Sequence, residues 1–284
     1  MREAYHVARH SNWIGLAVLL ALLGAAVHLA SASGQIRPSP APLPTLYLIG
    51  DSTVHNTGAG FAGWGDQIGD LFDQRRIRVV NRASGGRSSR TFRTEGLWQQ
   101  VRAQLKPGDF VLMQFGHNDG GSLTQNRARA SLKGSGDETE EVRYPATGKS
   151  EAVHTYGWYM RQYAAVTRAS GATPILLSPV PRNIWKEGRT VARASADYGK
   201  WAADAAKAEA AIFVDLNEAV AKRYEALGPD RVKQFFPGDH THTSPTGARL
   251  NAECIAEGLR ELKDRRLVSY LLAMPEGSPR AAPN

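Results

Sequence analysis

Leu46-Tyr47-Leu48-Ile49-Gly50-Asp51-Ser52 is a run of four β-compatible apolar residues closed by glycine and followed at once by an acid and a serine. Such a run, without polar alternation, predicts a strand buried on both faces, so that Ser52 emerges at its carboxyl end. Open α/β sheets carry their ligand sites at that end. Near the far end of the chain stands Asp239-His240-Thr241-His242. Serine is a weak nucleophile at neutral pH. It needs an imidazole to take its proton and a carboxylate to hold that imidazole in the right tautomer. Asp239 and His242, three residues apart on one turn of chain, are suited to both tasks.

Further β-prone apolar runs recur at Ile77 to Val80, Phe110 to Phe115, Pro174 to Leu177 and Ile212 to Val214. Between them the apolar spacing predicts helices over Trp64 to Phe72, Leu97 to Leu105, Tyr156 to Ala169, Ser195 to Glu209 and Leu216 to Leu227. A last helix, Pro245 to Lys263, follows Ser244 as N-cap with proline at the first helical position. Alternation of strands and helices implies crossover units and a parallel sheet covered on both faces. The stretch Asp119 to Val153 is polar, broken by Gly134, Gly136, Pro145 and Gly148, and carries the acidic run Asp137 to Glu141. It is expected to be a long loop at a strand end, of the functional or mobile kind.

The chain ends read differently from its middle. Arg2 and Arg9 precede the apolar run Ile14 to Val27 and the small residues Ala30-Ser31-Ala32, so 1–33 is expected to be a secretory signal peptide. A retained membrane anchor is the alternative, but the run falls short of the roughly 20 residues of a span, and His28 interrupts it. Residues 34–44 form a Pro-rich linker, 45–264 the folded domain, and 265–284 a C-terminal extension expected to be partly disordered. Formal charge is +8 for the whole chain and +7 without the leader, a balance that favours polyanionic partners. No nucleic-acid motif or long basic run accompanies it, so nucleic acid is not an expected partner. A single cysteine, Cys254, sits in the apolar register of the last helix and is expected to be a small buried hydrophobe.

Ser52 lies just beyond the first strand, Gly86 beyond Asn81 of the second, and Asn118 beyond Phe115 of the third. Acyl transfer needs donors aimed at a developing oxyanion, and the N–H groups of Ser52 and Gly86 with the Asn118 amide fit that need. A Gly-Asp-Ser triplet alone would occur by chance in roughly one chain in ten of this length, so the weight rests on the order of the blocks. Those blocks, Gly50-Asp51-Ser52, Gly86, Gly116-His117-Asn118-Asp119 and Asp239-His240-Thr241-His242, resemble those of the SGNH (GDSL-like) hydrolases. The stretches Asn81 to Arg90, His154 to Tyr159, Pro181 to Trp185 and Asp239 to Ser244 resemble the rhamnogalacturonan acetylesterase branch. Similarity spans about Leu46 to Leu262, and Thr53 stands where Leu is commoner in the wider family.

The resemblance implies a flavodoxin-like three-layer α/β/α sandwich with a five-stranded parallel sheet. It also implies Ser52 as nucleophile, His242 as base and Asp239 as its orienter, with Gly86 and Asn118 as oxyanion donors. The implied protein is a secreted or periplasmic serine esterase that removes O-acetyl groups from pectic polysaccharide, with no cofactor, no metal and no stable membrane association once the leader is cleaved. A lipase, thioesterase or lysophospholipase on the same scaffold, or an acetylesterase for another glycan, remains open. So does a catalytically silent carbohydrate-binding envelope protein, against which the intact Ser, Asp and His set stands.

Neighbouring residues carry plainer readings. Asp239, His240 and His242 make a real metal-ligand set, but a metal would take the lone pair that the serine needs. His117 is expected to make a structural hydrogen bond, and Gly58 to Gly65, lacking Gly-Lys-Ser/Thr, to turn the chain into the Trp64 helix. Arg87 and Arg182 offer forked donors for a uronate carboxylate, with surface ion pairing as the alternative. Tyr156 and Trp185 offer faces for sugar stacking, with burial in the core as the alternative.

Overall fold

The computed structural model describes residues 42–273. In chain order its elements are β1 (Thr45–Gly50), β2 (Arg78–Asn81), α1 (Ser89–Thr94), α2 (Leu97–Arg102), β3 (Phe110–Gln114), β4 (Thr139–Arg143), β5 (Ser150–His154), α3 (Tyr156–Ala169), β6 (Thr173–Leu177), β7 (Trp185–Lys186), β8 (Thr190–Val191), α4 (Tyr198–Ala208), β9 (Ile212–Val214), α5 (Leu216–Leu227), α6 (Pro229–Lys233) and α7 (Pro245–Glu261). Short 3-10 turns lie at Trp64–Asp66, Ile68–Leu71 and Val268–Tyr270. Among the described residues no helix is long and apolar enough to cross a membrane.

Alternation along the central strands decides the layering. Leu46 and Leu48 of β1 enter one core while Tyr47 and Ile49 enter the other; Phe110 and Leu112 of β3 part from Val111 and Met113 in the same way. Strands apolar on both faces need cover on both. Helices α5 and α7 supply Val220, Tyr224, Ile255 and Leu259 to the first core. Helices α3 and α4 supply Met160, Tyr163, Ala202 and Ala205 to the second. The result is the expected α/β/α sandwich on a five-stranded sheet.

The sheet runs β2-β1-β3-β6-β9, with every pairing parallel. Strand order therefore reverses between β1 and β3, which opens a crevice at their carboxyl ends. Register brings those ends level, since Gly50 pairs with Gln114 and Leu48 with Asn81. Glycine at position 50 is a packing requirement. A Cβ there would sit 2.4 Å from the Gln114 carbonyl oxygen and 2.4 Å from the Val54 side chain.

Several local expectations are corrected. The helix expected over Trp64 to Phe72 is two 3-10 turns, because Gly63 and Gly65 lie against the Val54 backbone and leave no room for side chains there. The stretch Asp119 to Val153 is not simply loop: residues 139–154 form the antiparallel β4–β5 hairpin, and Leu132 bridges Thr155. Helix α1, the small β7–β8 ladder and helix α6 were not expected at all. Beyond residue 264 the chain still packs on the domain. Leu267 and Val268 are buried, Leu271 bridges Phe72, and the Leu272 N–H donates to the Leu71 carbonyl at 2.9 Å. The leader, residues 34–41 of the linker and the tail from 274 lie outside the described residues.

Gly50→Ala is expected to destabilise the domain by about 3 kcal/mol, lowering the melting temperature by roughly 10 °C. Calorimetry on the purified variant checks this, and an unchanged melting temperature would contradict the close approach of β1 to β3.

Candidate active site

Behind Gly50 the chain folds into a tight turn in which the Val54 and His55 N–H groups both donate to the Asp51 carbonyl, at 3.1 and 3.0 Å. The Asp51 side chain is fully buried, and its Oδ1 accepts from the Thr53 N–H at 2.8 Å and the Thr53 hydroxyl at 2.7 Å. Gln114 Nε2 donates to the Thr53 hydroxyl at 2.5 Å, and the indole N–H of Trp64 donates to Gln114 Oε1 at 2.9 Å. This polar chain runs beneath Ser52 and ties the turn to β3. It gives the hydroxyl of Thr53 a task that a leucine could not perform, and it makes Asp51 a structural acid.

Ser52 Oγ lies 2.8 Å from His242 Nε2, and His242 Nδ1 lies 2.6 Å from Asp239 Oδ2. The Asp239 carboxyl is pushed down to about 2: partial burial opposes its charge, but hydrogen bonds from the His242 ring and from the His242 and Thr241 N–H groups outweigh it. An ionised carboxylate can only accept, so the ring proton sits on Nδ1 and the Nε2 lone pair faces the serine hydroxyl. Both ring nitrogens are thereby engaged. His240 is exposed, and its carbonyl accepts from the Asn183 N–H at 2.8 Å.

The histidine segment is braced by the loop before Trp64. Ala62 N–H donates to the Thr243 carbonyl at 2.9 Å, the Thr243 hydroxyl returns a bond to the Ala62 carbonyl at 3.0 Å, and Phe61 meets the His242 ring edge-on at 6.1 Å. Ser244 then caps α7, accepting from the Gly247 N–H at 3.3 Å. Residues 58–65 thus do more than turn the chain. They hold the base in place.

Gly86 has φ of +79°, a left-handed conformation that glycine adopts without strain. Among the described residues no hydrogen bond engages the N–H of Ser52 or of Gly86. Asn118 is buried, and its Nδ2 donates one proton to the Arg87 carbonyl at 2.9 Å, which leaves the other to serve a ligand. The last residue of that block, Asp119, is fully buried and accepts from the N–H and hydroxyl of Ser89 and, at 3.0 Å, from the hydroxyl of Ser131. It thereby pins the start of α1 beside Gly86.

Other expected residues are distributed unevenly. Tyr156 is corrected: it is fully buried, its hydroxyl donates to the Phe115 carbonyl at 3.2 Å, and no sugar can reach its face. Trp185 is half-buried against the core, with its N–H on Asn183. Arg182 lines a cavity of about 230 Å³ with His117, Val180, Ile184 and Tyr198. Arg87 stands beside Gly86, but its fork is taken by Glu95 at 2.8 Å and the Gly85 carbonyl at 3.0 Å. Burial pulls the His117 pKa down despite the nearby Asp51, and its Nε2 is sealed off without a partner among the described residues. Burial pushes the Cys254 thiol up to about 12, consistent with an inert core position. Three features were not expected: the His55–Asp66 pair at 2.5 Å, the buried Arg90, and Arg129, whose Nη1 donates to the Gly86 carbonyl at 3.0 Å.

Burial raises the Asp119 pKa from 3.8 to about 6 against the hydrogen bonds it receives. The folded state therefore holds this proton more tightly than the unfolded state. The stability so gained is complete below pH 3.8 and is lost as pH rises through about 6. Urea titrations between these limits are expected to show the parent losing about 2 kcal/mol more than Asp119→Asn. Parallel curves would contradict this.

The profile of the GDSL-like Lipase/Acylhydrolase family matches residues 48–250. The chain is 36% identical over 231 residues to the rhamnogalacturonan acetylesterase of Emericella nidulans, an alignment covering 81% of this chain and 90% of that protein. It is 33% identical over 224 residues to the probable rhamnogalacturonan acetylesterase YesY of Bacillus subtilis, covering 76% and 93%. The crystal structure of Bacillus subtilis YxiM superposes with a TM-score of 0.62 at 25% identity over 78% of this chain, which spans 57% of that structure's length. With the profile running through all the blocks that meet at the sheet edge, the chain belongs to the GDSL-like lipase/acylhydrolase family.

Proposed function

We propose that this protein is a serine esterase that removes O-acetyl groups from pectic polysaccharide, with rhamnogalacturonan as its substrate, and that the leader directs it out of the cytoplasm. The observation that carries the chemistry is the continuous path Ser52 Oγ, His242 Nε2, His242 Nδ1, Asp239 Oδ2, at 2.8 and 2.6 Å. The substrate class is supported by relatives named for it that align over nine-tenths of their length.

His242 takes the Ser52 proton as Oγ attacks the acetyl carbonyl carbon. The oxyanion forms between the N–H groups of Ser52 and Gly86 and the free amide proton of Asn118. Collapse expels the sugar oxygen, which receives the proton from His242 and leaves acetyl-Ser52. Water then attacks with His242 again as base, and acetate departs. Asp239 stays ionised throughout and stabilises the imidazolium formed in each half. A small acyl group suits the surroundings: of the exposed large apolar residues among those described, Leu43, Ile184, Leu227 and Leu272, only Ile184 lines the cavity beyond the end of β3, beside His117.

Acetate release should be rapid from acetylated rhamnogalacturonan and slow from a long-chain acyl ester. Ser52→Ala is expected to lower kcat by on the order of 10⁴-fold or more while leaving the melting temperature near that of the parent. Turnover within tenfold of the parent would remove the serine from the reaction. Because Asp239 titrates near 2, acidification to pH 4 leaves it charged. Asp239→Asn is therefore expected to depress kcat/KM across pH 5 to 8, by roughly 10⁴-fold, rather than to move the profile along the pH axis. A displaced profile of undiminished height would contradict the assigned role.

A further inference from the structure

Arg129 is a cation held beside the oxyanion glycine with no anion of its own. Its Nη1 donates to the Gly86 carbonyl at 3.0 Å, and a Cβ placed on Gly86 would lie 3.6 Å from that same nitrogen. Among the described residues no carboxylate forms an ion pair with Arg129 or with Arg127, two positions earlier. Partial burial disfavours the Arg129 charge and the neighbouring Arg127 adds to the effect, against weaker help from Asp51 and Asp119. A pair of like charges in this position gains from any anion set between them. Arg87, the cation expected here, is already neutralised by Glu95.

The loop that presents these arginines is built for the purpose. Arg127 and Arg129 line a groove of about 280 Å³ together with Gly120, Ser122 and Gln125. Asn126 and Ala128 adopt φ of +55° and +45°, left-handed conformations that persist where surrounding contacts hold them. The holding contacts come from Arg90, which is 1% exposed. Its Nη1 donates to the Ala130 carbonyl and its Nη2 to the Ala128 carbonyl, both at 2.6 Å, and Nη2 also donates to the Tyr144 hydroxyl at 2.6 Å. Tyr144 in turn donates to Glu151 at 2.5 Å, and Glu151 lies 3.3 Å from Arg90 Nε. A buried cation thus clamps the backbone that carries Arg129 to Gly86 and Arg127 into the adjoining groove.

We propose that Arg129, with Arg127 beside it, binds the carboxylate of a uronic acid in the glycan next to the acetylated position, and that this groove sets the preference for acidic over neutral acetylated sugars. The carboxylate offers two acceptor oxygens to planar guanidinium donors, the geometry that arginine recognises best. An acetyl carbonyl seated on Gly86 places its sugar within reach of the side chain bonded to that residue's own carbonyl. The assignment rests on the esterase reading above and adds the contact that would make the substrate acidic.

The test compares kcat/KM on two small substrates, an O-acetylated methyl galacturonoside and its neutral methyl ester, with an acetylated rhamnogalacturonan oligosaccharide assayed in parallel. The parent is expected to favour the free carboxylate, and Arg129→Gln to reduce the acid-to-ester ratio by roughly ten- to a hundredfold, chiefly through KM. Arg129→Lys should restore part of the ratio, and Arg87→Gln should disturb it less than Arg129→Gln does. A ratio unchanged in Arg129→Gln, whether both rates fall together or neither falls, overturns the proposal. If the parent releases no acetate from the oligosaccharide, the pectic reading fails, while the monosaccharide pair still decides the role of Arg129.

Discussion

Ser52 meets His242 because the chain doubles back directly behind Gly50, and one buried carboxylate holds that turn. Asp51 has no contact with the reacting atoms. It accepts from Thr53 twice, Thr53 accepts from Gln114, and Gln114 accepts from Trp64, so the nucleophile's backbone is tied to the neighbouring strand and to the first 3-10 turn. The network pairs Oδ1 alone; Oδ2 is buried without a hydrogen-bond partner among the described residues, so this carboxylate is costly to hold and depends on the fixed turn around it. Glycine at 50 permits the approach on which the network depends, since any side chain there would strike the Gln114 carbonyl. The first two letters of the Gly-Asp-Ser block are therefore structural and the third chemical.

The same division applies around the crevice. In the third block Asn118 offers an amide proton to the site while Asp119 anchors Ser89 and Ser131 behind it. In the last block Asp239 and His242 form the relay, while Thr243 and Ser244 fasten the segment to Ala62 and to the start of α7. The first, third and last blocks each pair a group proposed to face substrate with another that fixes its backbone. Catalytic power of this kind comes from donors fixed before the reaction begins, so the supporting residues matter as much as those that touch the acyl group.

The central strands were legible because they are buried on both faces and appear as unbroken apolar runs. Helices α3 and α5 match the ranges expected from apolar spacing to the residue, and in the structure Thr155 and Asp215 cap them, accepting from the N–H groups of Trp158 and Glu218. The segment 64–72 has helical apolar spacing, yet the contact of Gly63 and Gly65 with the Val54 backbone is a tertiary demand that periodicity cannot register. Tyr156 lies within a block shared with the family and is open from sequence to either sugar stacking or core burial; as the first residue of a helix facing the second core it is buried by that position. Arg129 was missed because its importance lies in a bond to Gly86, 43 positions away. The local sequence offers only two closely spaced arginines, Arg127 and Arg129, in a loop that also carries Lys133, Arg143 and Lys149.

The central claim is that Ser52 is activated by His242 and is the residue that carries the acyl group. Labelling the purified protein with a fluorophosphonate and mapping the adduct by peptide mass spectrometry tests it most directly. The account predicts a single adduct on the peptide containing Ser52, formed far more slowly in His242→Ala. An adduct on any other serine, or labelling of Ser52 at an undiminished rate without the histidine, would contradict it.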